Sequence, residues 1–364
     1  MIKPMLTEEI FFKAINTFFR GKPFIFFGTG MSCAVDDRFG MFALQTELVS
    51  QVQKCKLTSI QNKEWEFVIT SLNKGNDLEN SLNSISDHGF LRMITTITAN
   101  FIVNIDKYYA YEIADGRRQW PAINILKRIY DKLPEGDTIL HVLTPNYDML
   151  FEYACDFAGI TYTDGFFGGL EQNKNWRGVG QALLEPKRSI YRARQNIVYK
   201  QKKCIHYYKV HGSLNYFFHH NHVIRNDAWM WASPDYAERI MITPGLSKYQ
   251  KLQEYRQELI RPVDDAVDKA SYFLFLGYGF NDTHLETYIK RKLTEQACHG
   301  LIITKESNKR IEALAEEAEN LWIICETIDN NGSRIYNKKH SDWLILTGKK
   351  IWDIKEFETY VFGG

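Results

Sequence analysis

The sequence predicts an α/β fold, a doubly wound parallel sheet carrying an inserted helical module. Three observations predict it. Short apolar runs alternate with helix-length amphipathic stretches along most of the chain. Runs such as PFIFF at 23–27 and YFLFL at 272–276 are apolar without alternation, the pattern of strands buried on both faces. Four of the runs lead directly into a turn segment: Gly28-Thr29-Gly30, Pro145-Asn146-Tyr147-Asp148, His211-Gly212-Ser213 and Gly277-Tyr278-Gly279-Phe280-Asn281-Asp282.

The elements follow in order. Thr7 is placed to cap a helix running to about Arg20, with Ile10 and Phe11 opening its apolar stripe. The first strand is PFIFFGTG at 23–30. Residues 42–128 read as a helical insertion, interrupted by a polar loop at 77–87. The strands resume with TILHVLTPNYD at 138–148, followed by a helix that Gly159 terminates and a short strand at 160–166. Residues 168–203 hold nine lysines and arginines between Lys174 and Lys203 and read as a basic insertion outside the core. IHYYKVHGS at 205–213, ASYFLFLGYGFND at 270–282, HGLIITK at 299–305 and LWIICETI at 321–328 complete the expected strand set, with helices after 282 and 305. Strands joined by helices imply right-handed crossovers and a Rossmann-like sheet, here a single domain over 1–364 with two excursions.

Composition sets limits. With 364 residues, 45% hydrophobic, 24% charged and a net charge of +1, the chain resembles an ordinary globular protein. Overall charge therefore predicts neither a nucleic-acid binder, except indirectly through a partner, nor a membrane-surface protein. The apolar runs are strand-length, and Glu8 and Glu9 interrupt the N-terminal segment, so neither a membrane span nor a signal peptide is predicted and a cytoplasmic location is expected. The six cysteines are scattered without a CxxC pair, which predicts reduced thiols and no structural zinc. His219, His220 and His222 lack carboxylate or thiolate neighbours at ligand spacing and read as a hairpin, so no metal is expected.

Each of the four turns carries chemistry and also admits a plain structural reading. Gly28, Thr29, Gly30 and Ser32 stand where a tight turn brings backbone N–H groups to a pyrophosphate at a helix N-terminus. The same glycines also suit packing alone, and the third glycine and downstream acidic residue of the dinucleotide fingerprint are missing. Asn146 offers an amide to orient water or nicotinamide, and Asp148 a carboxylate for ribose; Asp148 equally suits a helix cap. His211 is a candidate general base or a buried structural histidine. Gly277, Tyr278, Asn281 and Asp282 suit a ribose or phosphate, or a cap for the next helix.

Taken jointly and in this order, GTGMS, TPNYD, HGS and GYGFND resemble the GAGxS, TQNxD, HG and late glycine-turn segments of sirtuins. In form they resemble the divergent bacterial sirtuin-like proteins of antiphage defence. The resemblance spans roughly residues 20–305; Asp37-Arg38-Phe39 is similar to the end of the sirtuin GIPDFR loop. It implies an NAD site with Asn146, Asp148 and His211 catalytic and with Gly28, Thr29, Gly30, Ser32, Asp37, Arg38, Phe39, Gly277, Tyr278, Asn281 and Asp282 contacting NAD. The two CxxC pairs of protein-deacylating sirtuins are missing. The resemblance therefore implies an NAD glycohydrolase that consumes NAD as substrate. A deacylase or ADP-ribosyltransferase and a non-enzymatic nucleotide sensor are the alternatives. It also implies a homo-oligomer, controlled by a partner such as a HerA-type hexameric ATPase.

Overall fold

The computed structural model describes residues 3–191, 194–243 and 255–363. In chain order it begins with α1 (Glu8–Phe18), β1 (Phe24–Phe27) and the short α2 (Thr29–Cys33). A helical stretch follows: α3 (Met41–Val52), α4 (Ser59–Asn73), α5 (Leu78–Leu82), α6 (His88–Ala114) and α7 (Ile123–Asp131). Next come β2 (Ile139–Thr144), α8 (Leu150–Ala158), β3 (Tyr162–Thr163), β4 (Phe166–Gly168), β5 (Gln172–Lys174) and α9 (Trp176–Ala182). The hairpin β6 (Leu184–Tyr191) and β7 (Arg194–Gln201) precedes β8 (Cys204–Lys209), β9 (Gly212–His219), β10 (His222–Arg225) and β11 (Glu238–Met241). The chain continues through α10 (Arg256–Leu259), α11 (Arg261–Lys269), β12 (Tyr272–Leu276), α12 (Thr283–Thr294), β13 (His299–Ile303), α13 (Lys309–Glu317) and β14 (Leu321–Glu326). It closes with β15 (Gly332–Tyr336), β16 (Leu344–Thr347) and α14 (Ile354–Phe362).

The main sheet has the order β16-β15-β14-β13-β12-β1-β2-β8-β3. It is parallel from β14 to β3, the doubly wound Rossmann-like arrangement expected. β1 shows why its strand has no polar residue. Ile25 and Phe27 enter the core under α1, α7, α8 and α14, while Phe24 and Phe26 enter the opposite core under α11, α12 and α13. Thr7 caps α1, and Gly159 closes α8 in the left-handed conformation.

The structure corrects three expectations. β15 and β16 extend the sheet past β14 by antiparallel pairing, so LWIICETI is not its last strand. Both are short, five and four residues, so their period-2 signal is brief, and β16 is the edge. A second, antiparallel sheet, β11-β9-β10-β5-β4, was missed; some of its strands are three residues long, and Gln172–Lys174 has no apolar member. The stretch at 77–87 is not all loop, because Asp77 caps α5 through the backbone N–H of Asn80 and Leu78 and Leu82 are buried.

Within the helical stretch, Leu48, Val52, Trp65, Val68, Leu82, Phe90 and Ile94 share a small core of their own, whereas α7 packs its Ile125 and Leu126 under the main sheet. No helix among the described residues is long and apolar enough to cross a membrane.

Gly212 joins the two sheets at a strained point. Its φ is +87°, and a Cβ there would lie 2.0 Å from the carbonyl oxygen of Ile240 in β11. Gly212→Ala is expected to cost about 2–4 kcal/mol, from the left-handed backbone and the forced separation of β9 from β11. Chemical denaturation measures it, and a loss under about 0.5 kcal/mol would refute this placement.

Candidate active site

The four turns leave the carboxyl ends of four neighbouring strands, β12, β1, β2 and β8. This end is where open parallel sheets bind ligands, and β1 and β12 flank the point where the winding reverses. Two of the turns interlock there. The N–H of Gly28 donates to Leu276 O at 3.0 Å, and that of Gly30 to Gly277 O at 3.1 Å. A Cβ on Gly28 would lie 2.6 Å from Gly277 O, and one on Gly277 2.9 Å from the Gly30 backbone. All three glycines are therefore required by loop packing alone. The Gly30 N–H is already engaged, and α2 is only five residues long, so the phosphate cradle expected of this turn has fewer donors than its sequence suggests.

A hydrogen-bonded chain ties the first turn to the second. Thr144 ends β2 with its hydroxyl on Phe27 O and accepts the Asn146 N–H. The Asn146 amide donates to Gly28 O at 3.0 Å and to Ser32 Oγ at 2.9 Å, and Ser32 Oγ donates to Asp148 Oδ2 at 2.7 Å. Asn146, Ser32 and Asp148 are all buried. Asp148 Oδ1 also accepts the Leu150 N–H at 3.3 Å, although the N-cap position of α8 falls to Met149, one residue later than the plain reading placed it. Burial pushes its carboxyl above the ordinary range, against the opposing pull of Lys209 and of the Ser32 hydrogen bond.

The third and fourth turns meet through side chains. His211 Nε2 lies 2.7 Å from Asp282 Oδ2, with both groups buried. Asp282, expected to contact NAD, thus stands against the histidine, and its backbone N–H donates to Glu286. Tyr278 is buried among Phe26, Phe275 and Phe280 with its hydroxyl on Glu286, a core position. Asn281 is exposed beside Arg310. Asp37, Arg38 and Phe39 form a 3-10 turn capped by Asp36. Arg38 pairs outward with Asp36, whose carboxyl it holds down at about 2, and Phe39 packs against Tyr109. Thr29 is half-buried at the start of α2.

Three buried charged residues beneath the candidate site escaped the sequence reading. Lys209 lies wholly buried under the second turn. Its ammonium donates to the carbonyls of Tyr147 at 3.2 Å and Asp148 at 2.5 Å and pairs with Glu152 at 2.9 Å. Asp106, reaching in from α6, accepts from the Met149 N–H at 2.7 Å and the Tyr153 hydroxyl at 2.8 Å. Each had a signal, a charge on an otherwise apolar face: Lys209 inside IHYYKVHG, Glu152 inside MLFEYAC, Asp106 inside FIVNID.

A cavity of about 520 Å³ lies elsewhere, between the sheet and α11, lined by Phe26, Leu143, Ile260, Val263 and Leu285. Its charged residues, Asp264, Asp265 and Asp268 against Arg291, disfavour a dinucleotide's phosphates, so chemistry assigns the site to the turns rather than to this hollow. Among the described residues no His, Cys, Asp and Glu group forms a metal site.

These features define a Rossmann-like class of protein with its candidate site beyond the carboxyl ends of the parallel strands. The SIR2-like domain family matches residues 140–324, just over half of the chain, from β2 into β14. The chain belongs to this family, whose domains bind NAD. The match includes the second, third and fourth turns, while GTGMS precedes it. No curated protein matches the chain.

Two predictions follow from the buried charges. Lys209→Met strands Glu152 and two carbonyls and is expected to cost about 3–5 kcal/mol; adding Glu152→Gln recovers part of it. Denaturant titration of both variants checks this, and a double variant no better than the single one would refute the pairing. Burial pushes the Asp106 carboxyl up to about 7, against roughly 4 in the unfolded chain. A raised carboxyl contributes stability at low pH that is lost as pH climbs from the unfolded value through the folded one. The melting-temperature advantage of Asp106→Asn over the wild type should therefore grow from about pH 4.5 to pH 7 and then level off; an advantage independent of pH would contradict the assignment.

Proposed function

We propose that this chain is an NAD glycohydrolase, cleaving NAD to nicotinamide and ADP-ribose. The observation that carries the reading is the Asn146–Ser32–Asp148 chain at the carboxyl end of β1 and β2, one strand from the buried His211–Asp282 pair. Nicotinamide leaves as a neutral group while positive charge develops on the ribose, so the reaction needs electronegative groups and a placed water more than an acid. Asp148 supplies the negative charge. Asn146, fixed by Gly28 O and Ser32, positions water or the nicotinamide amide. Asp282 occupies Nε2 of His211, which leaves Nδ1 to accept a proton from water or a ribose hydroxyl. The sequence has no CxxC pair to build the zinc ribbon of a deacylase, which favours water as the acceptor.

The motif forms TPNYD and GYGFND support a role in antiphage defence by NAD depletion. An NAD-consuming enzyme needs control, and we further propose assembly into a homo-oligomer that works with an ATPase of the HerA type. Tyr108, Tyr111 and Trp231 support assembly, because they present an exposed aromatic patch. Light scattering that finds only a 42.6 kDa species at micromolar concentration would exclude it.

Asn146→Ala and His211→Ala are each expected to lower nicotinamide release on the order of 10²-fold or more, with folding retained. Chromatography of NAD digests, read beside thermal melts, makes the comparison. Near-normal turnover in either variant would remove that residue from the mechanism.

A further inference from the structure

The basic insertion ends in a ribbon that the proposed chemistry does not use. β6 and β7 pair over eight residues each, from Leu184 opposite Gln201 to Tyr191 opposite Arg194. Among the described residues these strands pair only with each other. Among the described side chains, both faces carry exposed groups. On one face Leu184, Arg188, Ile197 and Tyr199 are exposed; on the other, Lys187, Val198 and Lys200 are. A two-stranded ribbon that no third described strand extends is marginal by itself, and apolar side chains in water along it mark a surface that meets something.

Charge says what. Residues 184–203 carry seven lysines and arginines against Glu185 alone, a net +6. The whole chain is +1, so the other 344 residues sum to −5. The overall balance had hidden a strong segregation of charge. The cations with described side chains are spread along the ribbon: Lys187 and Lys200 on one face, Arg188 on the other, Lys202 and Lys203 at the root; Arg192 lies outside the described residues. An acidic protein patch would meet one face. A nucleic-acid groove has phosphates along both walls, and the major groove, about 12 Å wide, admits a two-stranded ribbon. Eight residues extend about 26 Å, much of one turn of duplex, about 34 Å.

We propose that the β6–β7 ribbon is an arm that binds double-stranded nucleic acid through its phosphates, without reading its sequence. Its place in the fold suits this. The ribbon feeds into the amino end of β8, while the candidate active site lies beyond the carboxyl end of that strand. Its root is fixed by Lys200 on Glu135 and by the Lys203 ammonium on Asp131 O. Tyr199 and Ile197 add apolar contact to the sugar edges once the cations have seated the backbone.

The test is fluorescence anisotropy of a labelled 25-base-pair duplex titrated with the full chain at several salt concentrations. Binding is expected at 50 mM salt, weakening steeply with a log–log slope of about −3 to −5, for four or five phosphates at roughly −0.9 each. Lys187→Gln, Arg188→Gln and Lys202→Gln combined should weaken binding at least tenfold at 100 mM salt and flatten the slope by about 2–3. The melting temperature should stay at the wild-type value, since all three side chains are exposed. Absence of binding at 50 mM salt, or a triple variant that binds as the wild type does, would overturn the proposal. Displacement of the duplex by polyglutamate as effectively as by unlabelled duplex would also overturn it, in favour of an acidic protein.

Discussion

The site rests on one buried cation. The Lys209 ammonium holds two backbone carbonyls of the second turn and the Glu152 carboxylate of the helix that follows it. Those carbonyls belong to Tyr147 and Asp148, so the backbone that presents Asn146 and Asp148 is pinned from below by the strand carrying His211 two residues later. One side chain thus couples the turns after β2 and β8. Removing a charge from this environment costs far more than a surface pair would, because Glu152 would stay buried without its partner. The helical stretch adds a second hold. Asp106 on α6 accepts from Met149 and Tyr153, so α8 starts where a helix of another layer dictates.

Above that anchor the glycines take a meaning that their motif alone does not disclose. A GTG turn at the first strand suggests a pyrophosphate, yet Gly28, Gly30 and Gly277 are accounted for by each other's backbones. The two readings coexist. The interlock fixes the distance between the turns after β1 and β12, and Ser32 then reaches across to Asn146 and Asp148 from a rigid position. Positioning of this kind is what a reaction with little need for acid catalysis asks of its protein.

Much of this was legible in the sequence because the parallel strands are buried on both faces. FIFF and YFLFL have no other good location, and the turns after them had to fall at one end of the sheet. The elements that escaped lack that signature. β15 and β16 are short antiparallel additions with β16 at the edge, and β4 and β5 are three-residue strands, β5 pairing with β10 some fifty residues on. At the site, the motif residues could be named in advance but not their partners. That Asp282 stands against His211 rather than in a purely capping position follows from the neighbouring turns of β8 and β12, which no local spacing encodes. Lys209 was visible as a charge in an apolar strand, but only the fold shows which carbonyls it holds.

The central claim is that the four turns together hold the nucleotide. Hydrogen–deuterium exchange with and without saturating ADP-ribose, the stable product, tests it most directly. The account predicts slowed exchange over residues 28–33, 144–150, 210–214 and 277–282, with the core of α3–α5 unchanged. Slowed exchange confined to the acidic hollow beside α11, or none in any of the four turns, would contradict it.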